Sequence, residues 1–335
     1  MSLRTILGNG CHRRREKKEE RGPYDTSRTP VRISDNVHYP PKCINHHLSC
    51  TELAMCIYAA LSVHVWRILL SQRVPVHDYE PDLHKLIDSY HTAEGLPEQI
   101  LSILLWHLTN YNVDGGEYIM HALGKLCGME LSSDPARILR STFLNLATNP
   151  VLRDSMQGIL KTNARCSMHG DEERVEMFSL LEIPGFVLRD DNGHRESISS
   201  AFKRYESDLP MASKCEVPSF RACPSPVAVL RTFIHLPKVL WLHLAQGHDP
   251  VPVKLDDFLE LRALTEPEVK RYALRACISQ RRLPDRFEYV AWTKYGFHWH
   301  RHAQDDHSQT RPFDLQTDEF PYIVVYEMLT ETTLG

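Results

Sequence analysis

The most chemically suggestive stretch of this 335-residue sequence is His298-Trp299-His300-Arg301-His302, with His307 beyond it. Side chains alternate along a β-strand, so His298, His300 and His302 would share one face, and imidazoles grouped in that way can ligate a metal. No carboxylate or thiol at fixed spacing joins them, and the reading favoured here is a set of exposed polar positions on a β-hairpin. Nine cysteines, an odd number and widely scattered, read as thiols of a reducing compartment rather than as a disulfide framework. Glu52 follows Thr51 at the start of an apolar-periodic run, where the helix dipole favours a carboxylate by roughly 0.3–1 kcal/mol.

The elements that must position such residues are legible from periodicity. From Thr51 to Leu70 the apolar residues Leu53, Cys56, Ile57, Ala60, Leu61, Val65, Ile68 and Leu69 recur at helical spacing, with Thr51 as cap. Helices are also predicted at Asp82–Tyr90, Pro97–Thr109, Asp114–Cys127 and Pro135–Ala147. After Pro150 the texture turns to strands: Val175–Ile183, Ala228–Ile234, Val239–Leu244, Val269–Cys277, Phe287–Thr293 and Tyr322–Met328, interrupted by a short helix at Ile198–Glu206. Helices first and strands later predict an α+β architecture rather than a parallel α/β sheet. Trp106, Trp241, Trp292 and Trp299 read as core or strand aromatics.

Composition narrows the function classes. At 42% hydrophobic and 24% charged residues the chain is an ordinary globular one, and a net charge of -4 gives no reason to expect nucleic-acid binding. The longest apolar stretches, such as Ala54–Val63, are too short for a membrane span, and the start of the chain lacks the apolar run of a signal peptide. Cytoplasm or nucleus is the expected location. The charge run at 12–21 marks residues 1–41 as a disordered tail.

Six separated segments, in order, resemble the ubiquitin-specific protease family. Thr51-Glu52-Leu53-Ala54-Met55-Cys56-Ile57-Tyr58-Ala59-Ala60-Leu61 is similar to the family's Cys-box helix, and Val113-Asp114-Gly115-Gly116-Glu117-Tyr118-Ile119 to its Gln-Asp-Ala-His-Glu-Phe-Leu segment. Cys166-Ser167-Met168-His169 with Glu176–Leu180 resembles the start of the fingers. Ser197–Phe202 and Leu236–Leu244 continue the match, and Tyr289–Trp292, Trp299 and Tyr322–Glu327 resemble the closing palm strands. The resemblance implies a papain-like fold with a helical thumb over 42–150, β-rich fingers over 151–235 and an antiparallel β palm over 236–330.

The family's chemistry is thiolate attack on the carbonyl at ubiquitin's C-terminus, with a histidine as base, a third residue orienting it and an oxyanion donor. In the register of the resemblance the nucleophile position falls on Glu52 and the base position on Glu288, with Phe287 replacing a glycine. The oxyanion position falls on Cys50, or on Asn45 with a longer loop, and Ala303, Gln304 and Asp305 are the candidates for the third member. A carboxylate is a weak nucleophile and a mixed anhydride is hard to reach from an amide, so the resemblance implies a binding pseudoenzyme. Glu52 and Glu288 would then converge, with one pKa raised or a cation between them, such as a basic side chain of this chain or of a partner's tail. Glu52 as a plain first-turn helical residue is the alternative.

Other readings stay open. A helix beginning two residues earlier would make Cys50 a thiolate flanked by His46, His47 and His64, although no histidine occurs between His248 and His298, where the palm base should be. The fingers of many family members hold zinc through two Cys-x-x-Cys pairs. Here Cys166, His169, Cys215 and Cys223 could supply a mixed donor set, or the broken second pair, with Pro218 at the expected thiol, marks a degenerate site. No cofactor is required. The implied partners are ubiquitin, a ubiquitin-like protein or the subunits of a complex; a structural adaptor without ubiquitin binding is the further alternative.

Overall fold

A computed structural model describes residues 51–66 and 134–329, apart from interruptions at 64, 148, 167–169, 190–195, 208, 216–222, 247–249, 251, 284–286, 304–305 and 316–317. The predicted helices Asp82–Tyr90, Pro97–Thr109 and Asp114–Cys127 and the charged N-terminal run lie outside the described residues.

Among the described residues three helices, α1 (Thr51–Ser62), α2 (Pro135–Leu146) and α3 (Pro150–Met156), precede the strands. α2 begins where the Asp134 carboxylate accepts the Ala136 N–H at 2.9 Å. Asn149 opens α3 by accepting from the N–H groups of Val151 (3.0 Å) and Leu152 (3.3 Å). Pro150 sits in the first turn, where its missing N–H costs nothing. The change to strands expected at Pro150 therefore comes one element later, because an Asn cap followed by proline is a helix start.

A four-stranded sheet is built from β1 (Gly158–Cys166), β2 (Gly170–Phe178), β4 (Leu209–Cys215) and β5 (Cys223–His235) in the order β2-β1-β5-β4. The larger sheet takes β3 (Leu181–Pro184), β6 (Val239–Ala245), β8 (Glu266–Arg282), β9 (Phe287–Tyr295), β10 (His298–Ala303), β11 (Asp306–Arg311) and β12 (Glu319–Met328) in the order β11-β10-β9-β8-β12-β6-β3. β7 (Phe258–Ala263) also pairs with β8, and only β3 lies parallel to its neighbour, β6. Between β3 and β4 come a 3-10 turn, Gly185–Leu188, and α4 (Ile198–Glu206), whose first turn is capped by Ser197 accepting from the Ser200 N–H at 3.2 Å.

The single strand expected over Val175–Ile183 is two strands in two sheets. A bend at Ser179-Leu180 carries the chain from β2, an edge strand with Val175 57% and Met177 69% exposed, into the buried β3. β1 escaped the sequence reading because Lys161-Thr162-Asn163 leaves no apolar alternation; its pairing on both sides supplies the order instead. At its start Gly158 faces Phe178 across the ladder, and an added Cβ would stand 2.3 Å from Phe178 Cζ.

The large sheet is covered on both faces, which is why Val239–Leu244 reads as a continuous apolar run. On one face Val239, Trp241, Ala276, Ile278, Tyr289, Ala291, Ile323 and Val325 pack with the helices α1, α2 and α3. On the other, Leu240, Leu242, Leu244, Val290, Trp292, Val324 and Tyr326 pack with Phe202 and Tyr205 of α4. Two buried carboxylates tie elements together. Glu327 accepts the Val65 N–H (2.7 Å) and the Arg275 Nε–H (2.7 Å), joining the chain after α1 to the sheet. Glu319 accepts from Arg301 (2.8 Å), Trp292 Nε1 (3.2 Å) and Ser279 (3.3 Å).

Arg301 and Glu319 side chains are 6% and 0% exposed, so removing one strands the other charge away from water. Glu319→Ala is expected to cost about 3–5 kcal/mol. Urea unfolding should show this as a lower midpoint at unchanged slope, with Glu319→Gln losing less because it can still accept the Trp292 N–H.

Candidate functional site

The first turn of α1 meets the start of β9 on the helical side of the large sheet. Met55, Cys56, Tyr58 and Ala59 of α1 share a core with Tyr289 and Ala291 of β9. Glu52 is half-buried, and it contributes to the environment of Tyr289, whose hydroxyl is pushed well above its ordinary pKa. Burial is the largest cause, followed by the negative fields of Asp134, Glu52 and Cys56. Glu52 thus stands beside the residue that follows Glu288. Glu288 itself is half-buried and engaged by Arg281, its cross-strand partner on β8. The cation beside Glu288 is therefore one of the chain's own side chains.

From Tyr289 a polar row crosses the sheet. The rings of Tyr289 and Tyr322 are 5.5 Å apart, and the Tyr322 hydroxyl donates to Asp134 at 2.7 Å. Burial and this carboxylate raise the Tyr322 hydroxyl far above its ordinary range. His243 meets the Tyr322 ring edge-on at 4.8 Å. Its Nδ1 lies 3.3 Å from Arg140 Nη2 and 3.5 Å from Glu182, which Arg140 in turn contacts at 2.5 Å. Nδ1 thus faces both a guanidinium and a carboxylate, while the other ring nitrogen, Nε2, is buried without a hydrogen-bond partner among the described residues. Burial lowers the His243 pKa, with Glu182 opposing that shift. Sequence reasoning singled out none of Asp134, Tyr322 or His243 as site residues. The available signal was Asp134-Pro135, a helix start, and the lone polar residue in Val239–Leu244.

The histidine run behaves differently from the exposed hairpin expected of it. His298 is exposed and His300 half-buried against Tyr295, ring centroids 5.7 Å apart. His302 is buried, stacked on Tyr58 of α1 at 4.2 Å and bonded through Nε2 to Thr293 Oγ1 at 2.8 Å. The covering helix, invisible to local alternation, turns a polar strand position into an interlayer contact. Among the described residues no group of three or more His, Cys, Asp or Glu is arranged to hold a metal ion.

Cys50, Asn45, Gln304, Asp305 and His169 lie outside the described residues, and Ala303 ends β10 opposite Asp306. Cys56 is buried, its thiol directed to the Pro135 carbonyl at 3.7 Å. Cys166 is buried at the end of β1, and Cys215 and Cys223 are register partners where β4 meets β5. Both hairpin turns, β1–β2 and β4–β5, fall at the same end of the small sheet. Trp241, Trp292 and Trp299 are buried as expected of core aromatics, while Trp106 lies outside the described residues.

A mixed α+β chain with a helical layer, a small antiparallel sheet and a large, mostly antiparallel sheet has a ubiquitin-specific-protease-like fold. The solved structures it is similar to include the yeast SAGA DUB module with a mutant Sgf73, at TM-score 0.58 and 12% identity over 87% of this chain and 68% of that one. The SAGA DUB module Ubp8/Sgf11/Sus1/Sgf73 bound to monoubiquitin gives TM-score 0.59 and 12% identity, covering 91% and 73%. The Ubp8–Sgf11–Sgf73–Sus1 module gives 0.58 and 12%, covering 89% and 69%. No protein-family profile and no curated protein sequence matches the chain. Among the described residues no helix is long and apolar enough to cross a membrane, which says nothing of a β-barrel.

Burial holds the His302 imidazole neutral, pushing its pKa down to about 3. The unfolded chain, with an ordinary histidine near 6.5, then binds more protons than the folded one as pH falls below about 6.5. Stability from this residue is fully present above that pH and declines toward pH 3, by up to about 1.4 kcal/mol per unit. His302→Phe, which keeps a ring against Tyr58, should flatten the acid limb of a stability–pH profile measured by chemical denaturation.

Proposed function

We propose that this protein is a ubiquitin-binding module that does not cleave its partner. The observation that carries the reading is the juxtaposition of Glu52 on α1 with Tyr289 on β9, beside a Glu288 engaged by Arg281. In the register of the resemblance these positions would hold the thiol and the imidazole. Acyl transfer needs a soft nucleophile with an adjacent base, and neither residue type stands at either place. Of the described histidines on β10, His302 is bonded to Thr293 and stacked on Tyr58, and its ring stays neutral at physiological pH.

Binding is supported by the likeness in fold to a module captured with monoubiquitin. It is supported also by the open face of the small sheet, where Val175 and Met177 of β2 are exposed beside Glu173 and Asp171. Such a half-apolar, half-charged surface suits a folded protein better than a small molecule. Ubiquitin, a ubiquitin-like protein or a subunit of a larger complex in the cytoplasm or nucleus is the class of partner.

Titration of the full chain with fluorescently labelled ubiquitin should give saturable binding, lost in Val175→Asp/Met177→Asp. Absence of binding to ubiquitin and to ubiquitin-like proteins would leave a structural adaptor instead. Ubiquitin carrying a C-terminal thiol-reactive group should form no adduct. An adduct abolished by Cys50→Ser would identify a working thiol hydrolase and overturn the proposal.

A further inference from the structure

The two sheets meet without sharing a ladder: no described strand of the small sheet pairs with a described strand of the large one. One crossing between them follows β5, where His235 leads through Leu236-Pro237-Lys238 into β6. β5 is irregular just before that crossing. Leu160 pairs with Phe233 and Ile159 with His235, so Ile234 is the extra residue of a bulge. A bulge bends its strand and leaves the extra residue out of the ladder. On the other side of β5 the described pairing with β4 stops at Val229, short of Phe233. Donors for the carbonyls of Phe233 and Ile234 come instead from outside the small sheet.

Both come from the two-residue turn, Leu264-Thr265, of the β7–β8 hairpin. The Leu264 N–H donates to the Phe233 carbonyl at 2.8 Å, and the Thr265 hydroxyl donates to the Ile234 carbonyl. Glu266, the first residue of β8, lies 3.4 Å from His235 Nδ1 and 2.9 Å from Lys270 Nζ. Further along β8 the buried Tyr272 hydroxyl donates to the Pro237 carbonyl at 2.6 Å. The Leu264 side chain is 66% exposed, so the tip is held by its bonds to β5 rather than by burial of its own side chain.

We propose that the β7–β8 turn is a strap that fixes the tilt of the small sheet against the large one at this bulged joint. β5, β1 and β2 are paired side by side, so a tilt set at residues 233–235 passes to Val175 and Met177 on β2. The strap stands on this geometry alone, while its effect on a partner rests on the ubiquitin-binding reading given above. A surface already held in its bound orientation loses less freedom on association. Thr265 and Glu266 are then positioning residues for that surface.

The test is residue-resolved amide hydrogen exchange on the full-length chain without partner, comparing wild type, Thr265→Val and Thr265→Ser. Valine keeps the branched shape and removes the donor, and serine restores it. Thr265→Val should speed exchange at Leu264 and over 230–235 by about 3–10-fold, the weight of one hydrogen bond. Val239–Leu244 and Tyr322–Met328 should exchange as before, and Thr265→Ser should match the wild type. Labelled ubiquitin should bind Thr265→Val more weakly by a similar factor. Wild-type exchange over 230–235 in both Thr265→Val and Thr265→Val/Glu266→Gln would overturn the strap. So would equal acceleration throughout the large sheet, the mark of a general loss of stability. Unchanged ubiquitin affinity alongside faster exchange would overturn the link from strap to binding face. If the wild type binds no ubiquitin, the partner reading falls and exchange alone decides the strap.

Discussion

A buried carboxylate helps to fasten the helical layer to the sheet. Glu327, 2% exposed in the last strand, accepts from the Val65 backbone just past α1 and from Arg275 on the neighbouring β8. Its negative charge is tolerated because both partners are donors, one of them a cation. Trp66, immediately after, then lies against Trp241 and Phe143, and α1 is held over β8 and β9. That anchorage acts together with the packing of Met55, Cys56 and Tyr58 against Tyr289 and Ala291 to hold the first turn of α1 near the start of β9.

The polar row from Tyr289 through Tyr322 and His243 to Glu182 lies on the apolar face between sheet and helices. Its cost is offset by mutual satisfaction. Asp134 caps α2 and accepts from Tyr322, while Arg140 serves both His243 and Glu182. Partly buried polar networks of this kind specify one alignment of the layers more than they add to net stability.

The strands with β-branched or aromatic alternation were legible in the sequence. Val239–Leu244, Phe287–Thr293 and Tyr322–Met328 all lie within observed strands, and the Ile198–Glu206 helix has those bounds. Local pattern failed where tertiary contact overrides it. β1 is too polar to read as a strand, α3 depends on the Asn149 cap, and His302 becomes buried only because Tyr58 of a helix more than two hundred residues earlier covers it. The segments that carry Glu52 and Glu288 could be placed because they open strongly periodic elements. The row through His243 could not, since it is assembled across β9, β12, β6, β3 and α2 by sheet order alone.

Arg281 sets the charge environment at the opening rungs of β9. A histidine substituted at position 288 would find a guanidinium as its ladder neighbour, and that cation would disfavour the protonated ring. The ion pair on the opening rungs of β9 therefore biases position 288 toward an anionic side chain.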